Sequence, residues 1–186
     1  AFGSPNNIVV GGGGSTGTLT VNGGQVLNTQ GLVLGQNATG SGTLNLNGGL
    51  LQASAVIPNN TPAISVANFN GGTLQAVTNS GDFIQVTSMI MSNGLVIDDG
   101  GYSVTLLTTV LQSGDGLNGG FVKKGPGIVY MDTAASYTGG TLVTNGILAG
   151  TASVAGPVVV GPNGRIGGGD NFNPGTFTAF GDIAIH

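Results

Sequence analysis

The chain has 186 residues, of which 38 are Gly and 39% are hydrophobic, but only 5% are charged, and its formal net charge is −4. Three cationic side chains against seven Asp provide no basic patch, which argues against nucleic acid as a partner. The absence of Cys excludes disulfides and Cys-based metal sites. The apolar content argues against a disordered chain. No apolar run is long enough to predict a membrane-spanning helix.

The predicted elements are short β-strands, because apolar and polar residues alternate, most clearly over 18–21, 45–47 and 182–185, and no amphipathic stretch of helical length is present. We expect strands, in chain order, at Ile8–Val10, Thr18–Val21, Gln25–Asn28, Leu32–Leu34, Thr43–Leu46, Leu50–Ala53, Ala63–Val66, Thr73–Val77, Phe83–Met89, Gly94–Ile97, Ser103–Leu111, Phe121–Val122, Ile128–Met131, Thr141–Val143, Val158–Val160 and Phe177–Phe180.

One phrase occurs twice in the first third of the chain, 25 residues apart. The sequence GTLTVNGG begins at Gly17, and GTLNLNGG begins at Gly42. Self-similarity at such a period is typical of stacked repeats, whose units bury their apolar faces only against one another. The sequence therefore predicts an all-β fold, a single-stranded parallel β-solenoid. At about 22 residues per coil it would make roughly eight coils and be about 40 Å long, given the spacing of neighbouring strands.

Asn-Gly and Gly-Gly pairs separate many of the predicted strands, as at Asn22-Gly23-Gly24 and Asn47-Gly48-Gly49. Such pairs accept positive φ and therefore mark sharp turns. They are compatible either with antiparallel hairpins or with the corners of a solenoid. We favour corners, because successive units resemble each other at a nearly constant period.

The chain is interpreted as one domain over residues 1–186. Regular repeats of about 25 residues are expected over 1–57. A loop is expected over 58–62, where two Pro residues interrupt the pattern, and further coils are expected over 63–186.

A longer motif lies in the second half, where GGFVKKGPGIVY over residues 119–130 is followed by YTGGT over 137–141. It resembles the autotransporter-associated β-strand repeat, which reads approximately GGLxKxGxGxLxL and then NxYTGGT, with the most specific match over 119–148. The resemblance implies a right-handed parallel β-helix that bacteria secrete and display outside the cell, and it brings no catalytic residues. Lys123 matches the Lys of this repeat, and we expect it on the surface.

Few residues are candidates for catalysis or for binding a metal or phosphate. The Gly11–Gly14 loop lacks the Lys of a phosphate-binding loop. Asp98, Asp99 and Asp170 are candidate Ca²⁺ ligands, but we expect solvated turn carboxylates instead. His186 has no His or Cys partner for a metal. We therefore predict no catalytic residue, no metal site, no cofactor and no enzymatic activity.

Three Tyr residues are the candidates for stacking on sugar rings: Tyr102, Tyr130 and Tyr137. Such contacts would favour the alternative to a purely structural role. In that alternative the chain is a fragment of a cell-surface adhesin or passenger stalk that binds glycans, polysaccharide or host surfaces.

The two ends of the predicted solenoid give the sharpest functional hypothesis. A parallel solenoid has two strand edges, and the sequence shows no evident capping helix at either. We expect the edges to pair with copies of the chain, giving a secreted protein that assembles head to tail into an extracellular fibre or sheath. The expected contact residues are Phe2, Ile8, Val9, Val10, Phe177, Phe180, Ile183 and Ile185.

Overall fold

A computed structural model describes residues 6–37, 39–58, 64–170 and 173–186. The described chain is all-β, and its parallel strands are stacked as a β-solenoid of about seven turns. The prediction of a β-solenoid is confirmed, and the expected number of coils is close to the observed one. The hairpin interpretation of the Asn-Gly pairs is wrong, because the named strands pair in parallel.

The strands are numbered in chain order. They are β1 (Ile8–Val10), β2 (Thr16–Val26), β3 (Leu32–Leu34), β4 (Ser41–Ala53), β5 (Val56–Pro58), β6 (Ser65–Phe69), β7 (Thr73–Ala76), β8 (Thr87–Ile90), β9 (Leu95–Asp98), β10 (Ser103–Leu106), β11 (Leu111–Ser113), β12 (Phe121–Lys124), β13 (Ile128–Met131), β14 (Thr141–Gly150), β15 (Ser153–Val154), β16 (Val158–Ile166), β17 (Thr178–Ala179) and β18 (Ile183–Ile185).

The longest stack runs through the whole solenoid. It contains the ends of β2 and β4, then β7, β9, β12, the starts of β14 and β16, and finally β18. The seven pairings between these eight segments place about 34 Å between its first and last strands, at ~4.8 Å per step. A second stack begins with β1, β3 and β5, and a third with the starts of β2 and β4 followed by β6, β8 and β11.

The repeat spacing is regular only in the first turns. Ile8 pairs with Leu32, and Gly17 with Gly42, as the 24- to 25-residue period predicts. Further along, Thr141 pairs with Val158, only 17 residues away. The strands of this turn remain parallel, but the register of β14 on β16 shifts between Val143 and Asn145.

One predicted strand, Ser103–Leu111, is interrupted in the structure. It ends as β10 at Leu106, and β11 begins at Leu111. Between them the chain turns a corner, where the N–H of Leu107 donates to the Asp82 carboxylate at 3.2 Å and the Leu107 side chain is exposed. The loop predicted over 58–62 begins at the last residue of β5, and its remainder lies outside the described residues.

The core is made of inward columns, in which residues of the same register position stack from turn to turn. One of them, here called the central column, lies in the longest stack and consists of Val26, Leu51, Leu74, Ile97, Lys123, Val143, Val160 and Ile185. The side chains from Leu51 to Val160 are at most 1% exposed. Burying each large aliphatic side chain contributes about 1.5–3 kcal/mol, so such columns dominate the stability of the fold.

Corners are sharp because Gly supplies backbone conformations that other residues adopt at a cost. Gly24 and Gly49 occupy equivalent corners of successive turns with φ of 70° and 71°. Beside them, Asn47 donates its side-chain amide to Asn22 at 2.9 Å. The repeated NGG phrase therefore encodes a corner and a polar bond between neighbouring turns.

Candidate functional site

The predicted contact residues near the start of the chain lie in β1, apart from Phe2, which is outside the described residues. Val9 is 39% exposed, Ile8 is half-buried against the core, and Val10 is buried. Strand β1 pairs with β3, and β2 pairs with β4. We call the opposite, outer sides of β1 and β2 the first-turn edge.

The predicted contact residues near the end of the chain are much more exposed. Phe180, Ile183 and Ile185 are 76%, 53% and 71% exposed, whereas Phe177 is half-buried against the core. Among the described residues, β18 pairs only with β16. We call the outer side of β17 and β18 the last-turn edge.

The exposure of the two Ile residues follows from their register. Val158 pairs with Ile183 and Val160 pairs with Ile185, and both Val side chains point into the core. Alternation along a strand therefore directs Ile183 and Ile185 inward as well. They are core residues of the last described turn that no further described turn covers.

The eight predicted contacts therefore do not form one site within a single chain. The described ones divide between the two edges, which lie about seven turns apart. The last-turn edge can face a first-turn edge only when that edge belongs to another solenoid, and β18 then lies in the stack that begins at the end of β2 rather than at β1.

Sequence reasoning missed a second cluster, which lies inside the solenoid around Lys123. The side chain of Lys123 is fully buried in the central column, between Ile97 and Val143. The expectation that Lys123 lies on the surface is wrong. The alternation of the strand could have predicted this position, because Lys123 is two residues from Phe121 and therefore points to the same side, and Phe121 is also fully buried.

The Lys123 ammonium is surrounded by oxygen atoms. Its Nζ donates hydrogen bonds to the carbonyl oxygens of Gly125 at 2.7 Å, Gly127 at 3.1 Å and Asn145 at 2.8 Å. It also makes an ion pair with Oδ2 of Asp99, whose side chain is fully buried. Burial lowers the pKa of Lys123 from its ordinary value, and the hydrogen bond and charge of Asp99 oppose this shift.

Asp99 is the other half of the cluster, and the prediction of a solvated turn carboxylate is wrong for it. Its Oδ1 accepts hydrogen bonds from the N–H groups of Gly101 at 2.8 Å and Gly127 at 2.7 Å. Gly125 has φ of +84°, and a Cβ there would overlap the Asp99 carboxylate. The KxGxG part of the motif therefore encloses an ion pair, and Asp99 is occupied by Lys123 rather than available to Ca²⁺.

The aromatic candidates for sugar stacking are mostly in the core. Tyr137 is fully buried, and its hydroxyl lies 2.7 Å from Oγ1 of Thr141, while its ring centroid is 6.4 Å from that of Phe121. Burial raises the pKa of Tyr137. Tyr130 is 8% exposed, and Tyr102 is 39% exposed. Stacking on sugars is therefore disfavoured for Tyr130 and Tyr137.

An open cleft of about 380 Å³ lies between two turns of the second half. Asp132 lines it, but its Oδ1 accepts from the N–H of Thr151 at 2.9 Å and from its hydroxyl at 3.2 Å. The remaining lining residues are small: Thr133, Ala134, Ala135, Ala152 and Ser153. The cleft presents no group whose geometry indicates a reaction.

The described residues contain neither a metal-binding cluster nor a membrane-spanning helix. No three His, Cys, Asp or Glu side chains of residues 6–37, 39–58, 64–170 and 173–186 are grouped as a metal ion would require. Within the same ranges there is no helix with the length and hydropathy of a membrane span. The absence of a cofactor and of enzymatic activity stays a prediction.

Comparison with known proteins gave no match: no protein family, no curated protein and no solved structure is significantly similar to this chain.

Proposed function

We propose that this chain is a structural protein of the cell exterior, in which solenoids stack end to end with copies of themselves into a fibre or sheath. The observation that carries the proposal is the last-turn edge, where Ile183 and Ile185 continue inward columns of the core but are 53% and 71% exposed. Covering such side chains contributes about 1.5–3 kcal/mol each. Placement outside the cell rests on the resemblance of residues 119–148 to the autotransporter-associated repeat.

The occupant that fits this edge is the first turn of another copy. The central column begins at half-buried Val26 and ends at Ile185, and its interior is aliphatic except for Lys123. If the column continues from one copy to the next, Ile185 lies beside Val26, and Ala184 beside Gln25. Parallel pairing in this register keeps apolar side chains inside and gives the edge strands backbone partners.

Low charge removes one obstacle to this contact. The first 81 residues contain no charged side chain, so the first-turn edge presents no like charge to an approaching copy. Charged side chains at strand edges are a common protection against self-association. A head-to-tail contact that does not close on itself then gives an open filament.

Electron microscopy and fibre diffraction of the purified chain test the proposal. We expect unbranched filaments with a ~4.8 Å reflection along the axis. The axial repeat should be about 38 Å, because the longest stack contributes eight strands per copy at that spacing. Solitary rods at all concentrations would contradict the proposal. The adhesin-stalk alternative would then be the better account.

Engineered disulfides test the register separately, because the chain has no Cys of its own. The double variant Val26→Cys with Ile185→Cys should form a ladder of covalent oligomers on oxidation, since paired strands bring Cα atoms within the range that disulfides span. The matched control is Val26→Cys with Ala184→Cys, because Ala184 points to the other face of its strand. Filaments with cross-linking only in the control would refute this register while leaving end-to-end assembly intact.

A further inference from the structure

At the Asn145-Gly146 corner, the backbone nitrogen of Gly146 lies close to the side chain of the preceding residue, Asn145. The N–H of Gly146 donates to Oδ1 of Asn145 at 2.8 Å. The carbonyl oxygen of Asn145 accepts from Nζ of the buried Lys123, also at 2.8 Å. The peptide group between Asn145 and Gly146 therefore contacts the Asn145 side chain through its nitrogen and the Lys123 ammonium through its oxygen.

We propose that Asn145 is a site of spontaneous covalent modification, converting through a cyclic imide to isoaspartate and aspartate. The Gly146 nitrogen gives its proton to solvent base and attacks Cγ of Asn145. Nδ2 takes a proton back from the solvent, the bond from Cγ to Nδ2 breaks, and ammonia leaves. Water then opens the imide at either carbonyl, so atoms and charge balance with water as the only co-reactant.

Lys123 promotes the first step by stabilising the negative charge that forms. When the Gly146 nitrogen loses its proton, the charge is shared with the carbonyl oxygen of Asn145, which is the atom that Lys123 contacts. A preorganised donor at an oxygen that gains charge lowers the barrier. Proximity of nitrogen and side chain removes a further part of the orientational cost.

Gly146 is suited to the role in two ways. Its φ is +69°, and a Cβ at this position would overlap Lys123 Nζ and the carbonyl oxygen of Gly127. A residue without a side chain is therefore required for the close approach of Lys123 to this peptide. The same absence leaves the attacking nitrogen unhindered.

The other Asn-Gly pairs of the chain serve as internal controls: Asn22, Asn47, Asn70, Asn93, Asn118 and Asn163. After three of them, the Gly N–H donates to a different backbone carbonyl, as Gly71 does to Gly94 at 2.8 Å, Gly94 to Met91 at 2.8 Å and Gly119 to Leu117 at 2.9 Å. Those nitrogens are directed away from their own Asn side chains.

Asn163 is the best matched control. It is the register partner of Asn145 in the next turn, and Gly164 is the partner of Gly146. Lys123 donates to the carbonyl oxygens of Gly125, Gly127 and Asn145. Its ammonium therefore contacts the corner at Asn145 and not the corner at Asn163. The difference in rate between Asn145 and Asn163 therefore reports the contribution of the cluster.

The experiment is peptide mapping of the full chain after incubation at neutral pH, with isoaspartate located by fragmentation. In the folded protein we expect Asn145 to convert about tenfold faster than Asn163, a small part of the ~100-fold that one preorganised donor contributes in an enzyme. In denaturant the two rates should become equal. Equal rates in the folded protein, or faster conversion at Asn163, would overturn the proposal.

A variant pair adds a second test. Lys123→Met, once shown by circular dichroism to be folded, should lower the rate at Asn145 to that of Asn163, whereas Lys124→Met should leave it unchanged, because Lys124 is exposed. A folded Lys123→Met protein with an undiminished rate would refute the role of Lys123. The wild-type comparison needs no variant and remains decisive if Lys123→Met does not fold.

Discussion

The two halves of the solenoid join their turns with different chemistry. Residues 1–81 contain no charged side chain, and all ten charged residues lie between Asp82 and Asp182. In the first half, neighbouring turns are joined by neutral amides, as in the bond from Asn68 to Asn45 at 2.8 Å. In the second half, carboxylates and Lys123 join turns as well, as in the bond from the N–H of Thr151 to Asp132 at 2.9 Å.

Two bonds from a backbone N–H to a side-chain oxygen of a neighbouring turn show the difference. Oδ1 of Asn70 accepts from the N–H of Asn93 at 3.1 Å, and Oδ2 of Asp115 accepts from the N–H of Ser92 at 2.8 Å. Both bonds join residues 23 positions apart. One acceptor is neutral at every pH, and the other titrates. The fold therefore tolerates either chemistry, but only the second half should respond to acid.

The largest expected effect comes from breaking the buried ion pair. Lys123→Met leaves the Asp99 carboxylate buried and unpaired, which should cost about 3–5 kcal/mol of unfolding free energy. Chemical denaturation measures this loss. Lys124→Met is the control and should change stability by less than about 0.5 kcal/mol. Adding Asp99→Asn to Lys123→Met should recover part of the loss, and no recovery would argue against the ion pair as its cause.

The next effect separates neutral from ionised acceptors. Asn70→Ala should cost about 1 kcal/mol, equally at neutral and acidic pH. Backbone hydrogen bonds, that of Ser92 first, lower the pKa of Asp115 below its ordinary 3.8. Its stabilising contribution is therefore present above pH 3.8 and is lost as the pH falls through the lowered pKa.

The variant Asp115→Ala tests whether the contribution of this acceptor to stability depends on pH. Its deficit relative to wild type should be present at neutral pH and shrink as the pH falls below 3.8, as measured by denaturation at a series of pH values. The deficit of Asn70→Ala should stay constant over the same series. If the stability deficits of the two variants changed with pH in the same way, ionisation of Asp115 would not be the source of the pH dependence.

The smallest effect comes from moving charge into the neutral half. Gln52 donates to Gln75 at 2.5 Å, and Gln75 donates to Asp98 at 2.9 Å. Gln75→Glu places a carboxylate beside that of Asp98 and should cost roughly 0.2–1 kcal/mol at neutral pH. Gln52→Glu has no charged neighbour in this row and should cost less. Thermal denaturation at neutral pH ranks the two, and the reverse order would show that the row tolerates like charges.

Local sequence patterns predicted much of the fold. The repeated GTLxxNGG phrase indicated stacked parallel turns, because identical corners and strands recur only where neighbouring units occupy the same environment. For β12 the prediction was wrong: alternation from Phe121 to Lys123 is compatible with an inward Lys123, but Lys123 was expected on the surface, where most Lys residues lie. The chemistry of the residue type was a poorer guide than its place in the alternation.

The sequence by itself determined the β-solenoid, its corners and the uncharged character of its first half, since these depend on residues close together in the chain. Tertiary structure decided that Lys123 is buried, because Asp99 and Asn145 reach it from the two neighbouring turns. It likewise decided that Ile183 and Ile185 lie on inward columns of the core, since their places are set by pairing with Val158 and Val160 of the preceding turn. Burial is a property of what packs against a residue, and in a solenoid that neighbour is some 20 residues away in the chain.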